Sequence, residues 1–159
     1  MVKRRKLLYA VFAIVILGVI LCFLFPRSFA KTTSEVRSIA IQVVEENFEH
    51  ENKTYVYNDD APEFNAIFNV LNKYSYHWTL QTIPCFFQNS AHIESNEAGY
   101  WLNIYFYSEP DRYGECIDLI SGGTGEIIFD STVYRIGYLG NRAALRMMDD
   151  IVNIIEQQN

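Results

Sequence analysis

An uncharged apolar run near the N-terminus constrains this chain more than any other feature. Residues 7–25 read LLYAVFAIVILGVILCFLF and contain no charged side chain. A helix rises about 1.5 Å per residue, so a helix of this length crosses the hydrocarbon core of a bilayer, which is about 30 Å thick. The sequence therefore predicts a transmembrane helix over residues 7–25.

Basic residues flank this run unequally. Four consecutive basic residues precede it at positions 3–6, whereas only Arg27 and Lys31 follow it closely. Because positive charge favours the cytoplasmic side, residues 1–6 are expected to be a cytoplasmic basic N-terminus. The expected location is the cell membrane, single-pass, with the C-terminal domain extracytoplasmic.

A cleavable secretory signal is the alternative interpretation of the same residues. The triplet Ser28-Phe29-Ala30 resembles the small-x-small pattern that precedes a cleavage point, so a cut after Ala30 would release a secreted protein. Signal cores usually contain about 7–15 apolar residues, and this run is longer. The length favours an uncleaved signal anchor, and both interpretations export residues 31–159.

The exported part is strongly acidic. All 19 acidic residues lie after residue 30, together with only eight of the 13 basic residues, which leaves a formal charge of −11. Nucleic acid would be repelled by this charge, so no nucleic-acid partner is expected. The expected partners are the membrane, through the single N-terminal span, and a protein at the cell envelope.

Hydrophobic periodicity predicts the domain that follows. A short linker is expected over residues 26–35 and one extracytoplasmic domain over residues 36–159. Alternating apolar residues predict strands over 38–44, 54–57, 75–82, 100–107, 115–120 and 126–136, the last one with a bend at residues 130–131. Apolar stripes at helical spacing predict helices over 61–74 and 141–157. The expected fold is α+β, an antiparallel sheet of about five or six strands with two helices packed on one face, preceded by the N-terminal transmembrane helix.

Two cysteines lie in the exported part. Cys85 and Cys116 would close a loop of about thirty residues, and a disulfide there would stabilise the domain by roughly 3–4 kcal/mol. Two buried free thiols are an equally good interpretation. A third is a thiol hydrolase or transferase that pairs one cysteine with His77 or His92. No metal-ligand or cofactor motif accompanies them, so no cofactor is expected.

Aromatic residues on the predicted strand 100–107 suggest a contact surface. Trp101, Tyr105 and Tyr107 alternate with the apolar residues of that strand and so lie on the face opposite the helices. Tyr and Trp are common at protein interfaces, although an antiparallel sheet can simply leave one face wet. The sequence favours a non-catalytic binding or interaction module, with an accessory subunit of a membrane complex as an alternative.

The layout of the whole chain carries a resemblance. A basic N-terminus, one span and a strand–helix–meander–helix domain that ends in YRIGYLGNRAALRMMDDIVNII resemble small uncharacterised membrane-anchored proteins of Gram-positive bacteria. The resemblance implies an extracytoplasmic domain of unknown function and transfers no catalytic residue to this sequence.

Overall fold

The structure is a computed structural model that describes residues 2–29, 36–45, 52–79, 82, 99–108, 117–121, 123–129 and 132–157. Three helices and seven strands lie in these ranges. The helices are α1 (Val2–Leu24), α2 (Pro62–Lys73) and α3 (Arg142–Glu156). The strands are β1 (Ser38–Glu45), β2 (Lys53–Asn58), β3 (Tyr76–Trp78), β4 (Tyr100–Tyr107), β5 (Ile117–Ser121), β6 (Glu126–Phe129) and β7 (Thr132–Ile136).

Helix α1 contains the apolar run and extends into the basic residues before it. Its stretch from Arg5 to Leu24 is long and apolar enough to span a membrane, and none of it is buried against the rest of the protein. Both an uncleaved anchor and a signal sequence have these properties. The large side chains of its apolar part, from Leu7 to Leu24, are mostly exposed, as expected of a helix that needs an apolar environment.

The strands form one antiparallel sheet in the order β2-β1-β4-β5-β6-β7-β3. Strand β1 lies between β2 and β4, and its Ile41 is opposite Tyr55 on one side and Ile104 on the other. Residues that lie directly opposite each other on neighbouring strands point to the same face of a sheet. Ile41, Tyr55 and Ile104 therefore share the face that contributes to the core. Strands β2 and β3 form the two edges.

Helices α2 and α3 contribute to the same hydrophobic core. Pro62 begins α2, where a missing N–H costs nothing, and an apolar stripe follows at helical spacing. The buried residues of the two helices are Phe64, Ile67, Phe68 and Leu71 in α2, and Ala144, Met147, Met148, Ile151 and Ile155 in α3. All of them belong to one cluster with the alternate residues of the strands. Met147 and Met148 are fully buried in this core.

The structure has more strands than the five or six that the sequence predicts. The stretch 126–136 was expected to be one bent strand, but Phe129 is paired with Thr132, so the chain reverses between them. Strands β6 and β7 are therefore a hairpin. The alternation of apolar residues continues on both sides of this reversal, which is why the sequence pattern does not reveal it.

The turn between β5 and β6 lies close to the backbone at the start of α3. Gly125 has φ +82° between β5 and β6, and a Cβ atom added there would lie 2.6 Å from the carbonyl oxygen of Gly140. Asn141, the residue at the start of α3, donates a side-chain hydrogen bond of 2.8 Å to the carbonyl of Gly123. The β5–β6 turn is thus packed directly against the start of the last helix.

Candidate functional site

The segment after α1 is joined to the edge of the sheet. The backbone N–H of Arg27 donates to the carbonyl of Tyr76, and the N–H of Tyr76 donates back to Arg27, both at 2.9 Å. This reciprocal pair is an antiparallel bridge to β3. Arg27 is the third residue after Leu24, and an extended chain covers at most about 10 Å over three residue steps. The edge strand therefore lies within about 10 Å of the end of α1.

Phe29 follows this bridge and enters the core. Its side chain is 7% exposed. Its ring centroid lies 5.1 Å from that of Phe129, 5.5 Å from that of Phe106 and 5.9 Å from that of Tyr76. Aromatic pairs at such separations contribute about 0.5–1.5 kcal/mol each beyond their buried area. A residue of the predicted linker is thus a full member of the core.

An open cavity of about 510 Å³ lies beside this junction. Its described lining combines the segment after α1 with the adjoining strands β3, β6 and β7. The lining residues are Phe25, Pro26, Arg27, Ser28, Phe29, Tyr76, Trp78, Ile127, Phe129 and Tyr134. Most are aromatic or aliphatic, and Arg27 is the only charged residue among them. Small-molecule sites have volumes of about 300–1,000 Å³ and similar linings.

Arg27 is held by an aromatic ring. Its guanidinium carbon lies 3.9 Å from the centroid of the Trp78 ring, which is a close cation–π contact. Stacking engages the flat face of the guanidinium and leaves its N–H edge available. Within the described ranges, this guanidinium makes no ion pair and no hydrogen bond.

His77 lies next to these residues in β3, on the opposite face of the sheet. It is 4% exposed, its ring centroid lies 4.3 Å from that of Tyr138, and neither ring nitrogen makes a hydrogen bond of good geometry. Burial lowers the pKa of His77, while the backbone of Leu24 and Phe23 acts in the opposite direction. Burial therefore favours the neutral form of this histidine beside the end of α1.

The predicted contact residues lie together on the face of β4 that is not part of the core. Trp101, Tyr105 and Tyr107 are all half-buried. The hydroxyl of Tyr105 lies 3.4 Å from Oε1 of Gln42 on the neighbouring strand. Other residues of this face are buried without belonging to the core cluster: Ala40, Val44 and Val133. This face is therefore partly buried rather than uniformly exposed to solvent.

Several sequence predictions lie outside the described residues. Cys85, Cys116 and His92 are among them, so the disulfide and the thiol-enzyme hypotheses stay predictions. Cys22 is described as an exposed free thiol in α1. Within the described ranges, no group of three or more metal-ligating side chains occurs.

Sequence reasoning missed the junction residues Arg27 and Phe29. Arg27 was considered only as a flanking charge and Phe29 only as part of a cleavage pattern. The available signal was local: an aromatic residue between two small ones, just after a span, is poorly explained by a solvated linker. The partners of both residues lie far along the chain, so their role could not be derived from local pattern.

Comparisons with protein-family models, curated proteins and solved structures find no match to this chain. The resemblance to small membrane-anchored proteins of Gram-positive bacteria thus stays a prediction.

Proposed function

We propose that this chain is a membrane-anchored, non-catalytic interaction module of the cell envelope. In this proposal α1 is an uncleaved signal anchor with the N-terminus in the cytoplasm, and the α+β domain lies outside the membrane. Helices α2 and α3 cover one face of the sheet, and the other face carries Trp101, Tyr105 and Tyr107.

The burial of Phe29 is the observation that carries this proposal. A cut after Ala30 would remove Phe29 from among Phe106, Phe129 and Tyr76, and would remove the Arg27 bridge as well. Loss of a buried Phe side chain costs about 3–5 kcal/mol, which is a large share of a domain's stability. Retention of α1 is therefore the arrangement in which the domain keeps its core intact.

Orientation is tested by protease accessibility in intact cells stripped of their wall. One version of the protein carries an epitope tag at the C-terminus and a second carries it at the N-terminus. We expect external protease to destroy the C-terminal tag and leave the N-terminal tag intact, with the protein retained in membranes after alkaline carbonate washing. A protected C-terminal tag, or release of the protein by carbonate, would contradict the proposal.

The contact surface is supported by the grouping of three large half-buried aromatic residues beside polar neighbours on one strand face. Such residues bury much area at little entropic cost when a partner covers them. All three side chains are half-buried and lie outside the core cluster, so the exposed part of each is the part that a partner would contact.

Photo-cross-linking in living membranes tests this surface. A benzoyl-phenylalanine at position 101 should form a discrete cross-linked product, because Trp101 is placed on the proposed contact face. The matched control is the same probe at Asn153, which is exposed on α3. Equal products from both positions, or none from position 101, would remove the surface from the proposal.

A further inference from the structure

The cavity at the junction lies where α1 leaves the apolar layer. It begins at Phe25, directly after the last residue of α1, and the bridge at Arg27 places the edge strand within about 10 Å of the helix end. The headgroup region of one leaflet is about 5–8 Å thick. If α1 spans a membrane, this cavity opens at the depth of the lipid headgroups.

The residues around the cavity have the chemistry of a membrane interface. Trp78 and Tyr134 belong to the residue types that are enriched at headgroup level. Phe29, Ile127 and Phe129 supply an apolar wall that hydrocarbon can contact. The cavity volume of about 510 Å³ is sufficient for a substantial part of one lipid chain.

Arg27 supplies charge complementarity at the same place. The guanidinium lies over the Trp78 ring, with its central carbon 3.9 Å from the ring centroid, and Arg27 lines the cavity. It makes no ion pair within the described part of the chain, so its N–H edge has no charged protein partner there. Arginine binds phosphate oxygens through such an edge by charge-assisted hydrogen bonds. In a domain of net negative charge, a positive group beside an apolar cavity favours an amphiphile with an anionic head.

We propose that this cavity binds one membrane phospholipid, with an acyl chain against the aromatic wall and the phosphate held by Arg27. The inference rests on the proposed membrane anchoring, because the bilayer is what supplies the lipid. The anchor brings the cavity to the lipid, so no attraction between the acidic domain and the membrane surface is needed.

Native mass spectrometry of the full-length protein tests this site. The protein is transferred from phosphatidylglycerol nanodiscs into mild detergent, and the lipids that remain bound are counted. We expect one retained phospholipid in the unmodified protein. Arg27→Gln should weaken retention by about tenfold, since a charge-assisted contact is lost. Ser28→Trp should abolish retention by filling the cavity from its exposed rim.

Two controls separate the source of the phosphate and the role of charge. Arg142→Gln removes an exposed arginine on α3 and should leave retention unchanged. Inorganic phosphate should not displace the lipid, and diacylglycerol, which lacks a phosphate, should be retained about tenfold less.

The inference is overturned if the unmodified protein retains no lipid, or if both the Arg27 and Ser28 variants retain it as well as the unmodified protein does. Carbonate washing of the same membranes keeps the two proposals apart. Protein that stays in the membrane but holds no lipid in the cavity would remove the lipid site and leave the anchoring proposal standing.

Discussion

Phe29 connects the first thirty residues of this chain to the rest of it. It lies just beyond an exposed apolar helix, yet its ring is surrounded by aromatic side chains from α2, β3, β4 and β6. These contacts join residues that are far apart in sequence, so no local sequence pattern predicts them. The residue that resembled part of a cleavage site is thus a core residue.

Phe29→Ala should destabilise the domain by about 3–5 kcal/mol, because it opens a cavity among four aromatic rings. The measurement is thermal unfolding of the full-length protein in detergent, followed by near-ultraviolet circular dichroism. Phe25→Ala is the matched control, since Phe25 is in the same segment but 67% exposed. Equal stability of the two variants would contradict the core role of Phe29.

His77 makes folding stability depend on pH. Because burial lowers its pKa in the folded protein, the unfolded chain binds the proton first as the pH falls. Stability should be fully present above the ordinary histidine pKa of about 6.5 and should decline below it, until the folded-state pKa is reached. Urea unfolding between pH 7.5 and 5 measures this decline.

His77→Gln removes the titrating group, so its stability should change less with pH over the same range. The slope difference is at most about 1.4 kcal/mol per pH unit, the value for one proton. A variant with the same slope as the unmodified protein would show that another group controls the response.

At the scale of elements, the alternation of apolar residues was a sound guide. Strands β1, β2 and β4 and helices α2 and α3 lie within one or two residues of their predicted bounds. Two predictions were wrong in detail. The strand predicted over residues 75–82 is shorter, since β3 covers Tyr76–Trp78 and both Thr79 and Thr82 lie outside it. The β6–β7 reversal was missed because period-two alternation does not report chain direction.

Helices α2 and α3 are linked by one carboxylate. Asp150 accepts hydrogen bonds from Lys73 at 2.8 Å and from Tyr74 at 3.0 Å, and the bond from Lys73 is the main reason that the pKa of Asp150 is lowered. Its stabilising effect should be present above the ordinary pKa of about 3.9 and be lost as the pH falls further.

Asp150→Asn should cost less than about 1 kcal/mol near neutral pH, because the ion pair is largely exposed to solvent. Asp60→Asn, at an exposed turn residue, is the control and should cost nothing measurable. Urea unfolding measures the loss in free energy of unfolding. A loss above about 2 kcal/mol would contradict the estimate for an exposed ion pair.

The β5–β6 turn offers a sharper test of packing. Gly125→Ala should cost about 1–2 kcal/mol for the positive φ and about 1–3 kcal/mol more for the contact with Gly140. Gly99→Ala isolates the first contribution, since Gly99 has φ +80° but open space where the Cβ would lie. Chemical unfolding of both variants should therefore show the larger loss at position 125. Equal losses in the free energy of unfolding would contradict the close contact between Gly125 and Gly140.

At the scale of the whole molecule, the apolar helix runs directly into the α+β domain. The bridge at Arg27 and the burial of Phe29 make the segment after α1 part of the domain. Length and composition predicted a helix able to span a membrane, and the structure contains one. They did not predict this junction, because the contacts depend on the tertiary arrangement of β3, β4 and β6.

The intact mass of the protein recovered from cell membranes tests the central claim most directly. If the domain requires Phe29 in its core, the chain should be recovered with α1 attached, at a mass that includes the residues before Lys31. A mass that begins at Lys31 would show that the mature domain exists without Arg27 and Phe29. That result would contradict both the proposed membrane anchor and the role of Phe29 in the core.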